Sequence, residues 1–289
     1  MPTQKLLRSG LLALALLCTS ATGQSITELS ARPQVGGETS ILLRSVTLVE
    51  GQPVRSDLDW RARQSEWLYL RGSGKQENQE QLPQPASGPV RWLVTPTPGD
   101  TWVAGVDLRP RTETVTPKEF AAFRVRQRAS STDRQDSAPG RPLRILRLES
   151  HKLLLRAKGE TSTRMPGATA LSKSGQRAEL RPMADPSATP AGAALPLRLY
   201  LPEGYSKRQQ VVATHLASGA QLSIESDSQG IATFLLDRAG SWSVAVHAIR
   251  PRPADARVDW EVCSATLHFQ SPQGPAPKKH ADDKAGESR

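Results

Sequence analysis

The stretch VDWEVCSATLHFQ, residues 258–270, places Asp259, Glu261, Cys263 and His268 within a few positions of one another. Carboxylate, thiolate and imidazole are all transition-metal ligands, so the stretch could hold a metal ion. Strand geometry argues for a plainer role. Successive side chains of a strand point to opposite faces. Glu261, Cys263, Ala265, Leu267 and Phe269 therefore share one face, and Trp260, Val262, Ser264, Thr266 and His268 share the other. Leu267 and Phe269 mark the first set as the core face. Cys263 then reads as a small buried hydrophobe, and His268 points away from it. Asp259 and Glu261 read as hydrogen-bonding groups at the strand end.

Two other histidines, His215 and His247, lie on strand-like segments that could neighbour this one. Together, His215, His247 and His268 are the candidate metal-ligating set. They come from three separate segments and lack the short-range spacing of compact metal sites. His151 and His280 stand outside the set. The sequence contains no GxSxG, no HExxH and no phosphate-cradling glycine loop. The expectation is a protein that is not an enzyme, with no catalytic residues and no cofactor beyond a nickel or cobalt ion.

The segments that must position these residues are mostly strands. SILLRSVTLVEGQPV, WRARQSEWLYLRGSG and VRWLVTPTPGDTWVAGVDL carry β-branched and aromatic residues in alternating or apolar runs. RILRLESHKLLLRA reads as one or two strands. LPLRLYLP, QQVVATHLA, QLSIES, IATFLLD, SWSVAVHAI and WEVCSATLHF follow at regular spacing. Asp227-Ser228-Gln229-Gly230 is a tight-turn signal with glycine where a positive φ is needed. TPKEFAAFRVRQRA is the exception. Thr116 can cap a helix, Pro117 fits its first turn and Glu119 occupies the capping-box position. Phe120, Phe123 and Gln127 share one helix face, with Arg124, Arg126 and Arg128 facing water. GSGKQENQEQLPQPASGP, residues 72–89, reads as a loop.

The expected fold is mainly β: two antiparallel β-sandwich domains of the Ig-like or transthyretin-like kind with one short connecting helix. Residues 24–112 form the first domain. Residues 113–192 are a helix, strands and loop-rich connecting region. Residues 193–270 form the second domain, and the polar tail 271–289 is disordered.

Residues 1–23 read as a signal peptide: Lys5 and Arg8, then the apolar run Leu11–Leu17, then Ala21-Thr22-Gly23. The expected location is therefore periplasmic, cell-surface or secreted, with no transmembrane segment in the mature chain. Cleavage removes Cys18, which leaves Cys263 as the one thiol and excludes an internal disulfide. The chain of 289 residues carries a formal charge of +10. Eleven Lys and Arg face four Asp and Glu between Lys118 and Lys158. No aromatic residues interleave with these arginines and the chain is read as exported, so a solvated basic face near an anionic surface or polymer is expected, and nucleic acid is not.

The order of ELRPMADP, LPLRLYLPEG, SDSQGIATFLLDRAGSWSV and VDWEVCSATLHF, with RPQVGGETSILLRSVTLVEGQPV, TWVAGVDLRP, TPKEFAAF and SHKLLLRA upstream, resembles a family of secreted bacterial proteins. That family is labelled nickel-uptake substrate-specific or cobalt-transport periplasmic component. The resemblance implies a binding or accessory role in metal or nutrient uptake, with an envelope protein or transporter component as partner. Members of the family commonly begin their mature chain with a histidine whose imidazole and free amine suit such ions. The corresponding stretch here, GQSITELSARP, has no histidine. A structural protein- or glycan-interaction β-sandwich module with no metal is the alternative.

Overall fold

The computed structural model describes residues 25–33, 39–49, 52–57, 65–72, 77–78, 91–94, 101–126, 140–156, 168–252 and 257–273. The expected signal peptide, residues 1–23, Gln127, Arg128, most of the 72–89 loop and the tail from residue 274 lie outside them.

The described residues form sixteen strands and one helix. In chain order these are β1 (Ser25–Pro33), β2 (Thr39–Val49), β3 (Gln52–Asp57), β4 (Ser65–Arg71), β5 (Glu77–Asn78), β6 (Arg91–Val94), β7 (Thr101–Leu108) and β8 (Arg111–Val115). Helix α1 (Pro117–Arg126) and β9 (Leu143–Arg156) follow. The remainder are β10 (Glu179–Pro182), β11 (Ala194–Tyr200), β12 (Gln210–His215), β13 (Gln221–Glu225), β14 (Ile231–Leu235), β15 (Gly240–Pro251) and β16 (Trp260–Ser271). The mainly β class and the single short helix are as the sequence implied. The turn at Asp227–Gly230 also forms as expected. Asp227 Oδ1 accepts from the Gln229 and Ile231 amides, and Gly230 has φ of 80°.

Three sheets result. A nine-stranded sheet runs β13-β12-β15-β16-β9-β7-β4-β5, with β8 also pairing β9. A three-stranded sheet runs β10-β11-β14, and a third joins β1, β2 and β3 with β6 on β2. Antiparallel sheets were expected, and one ladder departs from that: β9 and β16 pair in parallel, Trp260 beside Ile145 through His268 beside Leu153. The large sheet is therefore mixed. It draws strands from residues 65–115, from 143–156 and from 210–271, on both sides of the boundary expected after residue 192.

Period two explains the inner face. Leu180, Leu195, Leu197 and Phe234 of the small sheet meet Val211, Trp242, Val244, Val246, Cys263, Ala265, Leu267 and Phe269 of the large one in a continuous core. Each fully buried large apolar side chain contributes about 1.5–3 kcal/mol. The expected core face of β16 is the observed one. The opposite face is buried too, because β16 lies well inside the sheet and α1 covers its first half. Phe120 packs on Trp260 with ring centroids 5.5 Å apart, in a second cluster with Leu143, Ile145, Ile249 and Val262. The capping box holds the start of α1: the Thr116 amide donates to Glu119 Oε2 at 2.7 Å, and the Glu119 amide to Thr116 Oγ1 at 3.1 Å.

One charged pair lies between the layers. Lys152 Nζ is 2.6 Å from Glu179 Oε1, with the two side chains 1% and 0% exposed. Lys152 also donates to the Ser172 carbonyl, and the Ser174 amide donates to the Glu179 carboxylate. Beside it the Gln176 amide donates to the Val106 and His151 carbonyls. It lies over Gly105, where a Cβ would come within 3.0 Å of it.

Cys263 is 0% exposed, and burial pushes its thiol up to about 12, so it is neither ionised nor reachable at neutral pH. A thiol reagent is expected to label it slowly in the native protein and fast in denaturant. Cys263→Ser is expected to lower the unfolding free energy by about 1–3 kcal/mol, measured by urea titration.

Candidate functional site

The structure places the three candidate metal-ligating histidines apart. His215 ends β12 beside Trp242, on the inner face. Both its ring nitrogens are engaged at a turn, Nδ1 with Ser218 Oγ at 2.8 Å and Nε2 with the Ala239 carbonyl at 3.0 Å. The carbonyl fixes the proton on Nε2, so Nδ1 accepts from the serine hydroxyl. His247 lies opposite Ser264 on the outer face, bonded to its hydroxyl at 2.8 Å. It sits edge-on to Phe123, which also stacks on Phe120 and carries the Arg147 guanidinium 4.2 Å from its ring centroid. His268 shares that outer face but lies opposite Ser243, four strand positions from His247. At about 3.3 Å per residue that is roughly 13 Å. A nickel or cobalt ion finds no common point among the three.

His268 has a different neighbour. His151 on β9 stacks beside it at 6.4 Å between centroids, with planes 19° apart, and both rings are buried. The parallel register pairs His151 with Thr266, two positions before His268, so the two rings are neighbours on the same face. Antiparallel sandwiches give no reason to expect that pairing, so the sequence left His151 aside.

His268 also lines a cleft of about 780 Å³ where the ends of β9 and β16 meet the start of β15. Strand β1 lies against β9 and β16 here. Ser30, Ala31 and Arg44 close one side, Leu153–Arg156 another, and Ala239–Trp242 with Gln270–Gln273 complete the wall. Its described lining holds two arginines, a histidine, several hydroxyls and two side-chain amides, and neither Asp nor Glu. Part of this polarity is committed to structure: Ser187 Oγ donates to Asp185 Oδ1, Ser271 Oγ to the Thr189 carbonyl and Trp242 Nε1 to the Arg238 carbonyl. Arg44 and Arg156 give the cleft a positive field that favours anions.

The carboxylates of the 258–270 stretch serve the frame. Asp259 accepts from the Arg144 amide at 2.8 Å and from the Arg141 guanidinium. Glu261 is buried between Arg250 and Arg252 at 2.6 and 3.0 Å and accepts from Tyr205 Oη at 2.7 Å. Burial, helped by that hydrogen bond to Glu261, pushes the Tyr205 phenol well above its usual range. Asp259 thus holds the strand end, as the sequence implied. Glu261, read from the sequence as another strand-end hydrogen-bonding group, is in addition a buried ion-pair centre.

No family model, no curated protein and no solved structure matches this chain.

Burial lowers the His247 imidazole to about 4 from an ordinary 6.5, with Arg147 pushing the same way and Glu149 opposing. The unfolded chain takes up this proton near pH 6.5 and the native one does not. The contribution is therefore whole above that pH and is lost as pH falls toward 4. The full shift corresponds to about 3 kcal/mol, and partial exposure of the ring reduces that to about 1–2 kcal/mol. His247→Gln is expected to lose less stability than the parent between pH 7 and pH 4.5, read from urea midpoints at the two values.

Proposed function

We propose that this chain is a non-enzymatic exported binding protein whose ligand occupies the cleft beside His268. The observation that carries the proposal is the cleft itself. Its volume of about 780 Å³ lies within the range of small-molecule sites, and its described lining is cationic without a carboxylate. Such a lining attracts an oxygen-rich anion and repels an aqua cation. A role in nutrient or metal uptake fits this chemistry if the cargo is anionic. For nickel or cobalt, that means a carboxylate chelate carrying net negative charge.

Calorimetric titration with citrate, with nickel citrate and with nickel chloride tests the reading. Citrate or its nickel chelate is expected to bind one to one. Replacing Arg44 and Arg156 together by Glu is expected to weaken that binding by about tenfold to a hundredfold. Tight binding of nickel chloride alone that disappears when His215, His247 and His268 become Ala would replace this reading with a bare-ion site. Absence of binding by either citrate form would remove the cleft as an anion site.

A further inference from the structure

The solvent face of the small sheet carries a second, separate concentration of charge. Arg181 on β10 and Arg198 on β11 are direct cross-strand partners. Like charges at such positions repel and destabilise the pair. The repulsion is compounded rather than relieved. Lys173 Nζ lies 4.8 Å from the centroid of the Tyr200 ring, and the Arg181 and Arg198 guanidinium carbons lie 5.5 and 5.6 Å from it. Three cations therefore gather at one phenol ring. Among the described residues none of the three is ion-paired with a carboxylate. Glu179, the nearest acid along β10, is turned inward to Lys152.

The same face is apolar toward its other end. The Met183 amide donates to the Pro196 carbonyl, which continues the β10–β11 register and keeps Met183 on the side of Arg181. Met183 is 41% exposed. Leu235 on β14 alternates with buried Phe234, faces outward and is 61% exposed. Large aliphatic side chains projecting beside uncompensated cations fit a partner that offers negative charge and an apolar phase together.

We infer that this face docks on an anionic lipid bilayer: Lys173, Arg181 and Arg198 meet headgroup phosphates, while Met183 and Leu235 enter the acyl boundary. A soluble acidic polysaccharide supplies the charge but no apolar phase. The Tyr200 ring, attended by three cations, is a poor platform for stacking a sugar. The inference is independent of the cleft, whose described lining includes none of these residues.

The test is cosedimentation of the full chain with vesicles of phosphatidylglycerol and phosphatidylcholine, and with phosphatidylcholine alone. The readout is the ratio of the two partition coefficients, which cancels attachment that ignores lipid charge. Each basic group at an anionic surface contributes roughly fivefold. Lys173→Gln, Arg181→Gln and Arg198→Gln combined are expected to lower the ratio on the order of 100-fold. A control of equal charge change, Arg109→Gln with Lys118→Gln and Arg126→Gln, is expected to change it only severalfold. Met183→Asp with Leu235→Asp is expected to lower partition onto the anionic vesicles at least tenfold. Equal losses in the two charge variants would show attraction by net charge alone and overturn the site. Binding to soluble polygalacturonate that depends on the same three cations, without vesicle binding, would assign the face to a polymer and overturn the bilayer.

Discussion

The contact between Lys152 and Glu179 is the constraint on which the packing of the two layers depends. β9 runs through the middle of the large sheet, bonded to β16 on one side and to β7 and β8 on the other. Lys152 projects from it into the space between the sheets, where burial pulls its ammonium below its usual range and the Glu179 carboxylate pulls it back up. Two charges removed from water are tolerable only when paired and hydrogen-bonded. Here the remaining positions are filled by the Ser172 carbonyl and the Ser174 amide. Residues 172–179 are thereby fastened to β9, and β10, which begins at Glu179, starts the small sheet against β9 and β16 of the large one.

A consequence is that both faces of β9 and β16 are covered over most of their length. The small sheet and the 168–178 segment cover one face, α1 covers the other near Trp260, and β1 lies against the far end. Polar side chains on and beside these strands are accordingly fixed by partners. His247 is held by Ser264, Glu261 by two arginines and a phenol, and Gln176 by two backbone carbonyls. Openness is left where the strands end, at the cleft beside His268. The two cationic regions proposed for binding therefore lie at the margin of the large sheet and on the outside of the small one.

Local signals in the sequence were strong where physics is local. The box of Thr116 and Glu119, the Asp227–Gly230 turn and the alternation that buries Cys263, Ala265, Leu267 and Phe269 are each set by residues a few positions apart. The pairing of β9 with β16 is not, because more than one hundred positions separate partners such as Ile145 and Trp260. Hydrophobic alternation assigns a strand its faces but not its neighbours. That is why His151 was separated from His268, and why His215, His247 and His268 were grouped although one faces away from the other two. Lys152 was within reach of the pattern, since it alternates with Leu148 and Leu154 on the core face. Its charge argued the other way, and Glu179 carried no local sign of being its partner.

The most direct test is a double-mutant cycle on the buried pair, with unfolding free energies measured for the parent, Lys152→Met, Glu179→Leu and the combined variant. Each single change strands a buried charge and is predicted to cost about 3–5 kcal/mol. The combined variant is predicted to recover most of that loss, giving a coupling of at least about 2 kcal/mol. Additive effects of the two changes would contradict the account, because the charges would then contribute separately and the seam between the sheets would not depend on their contact.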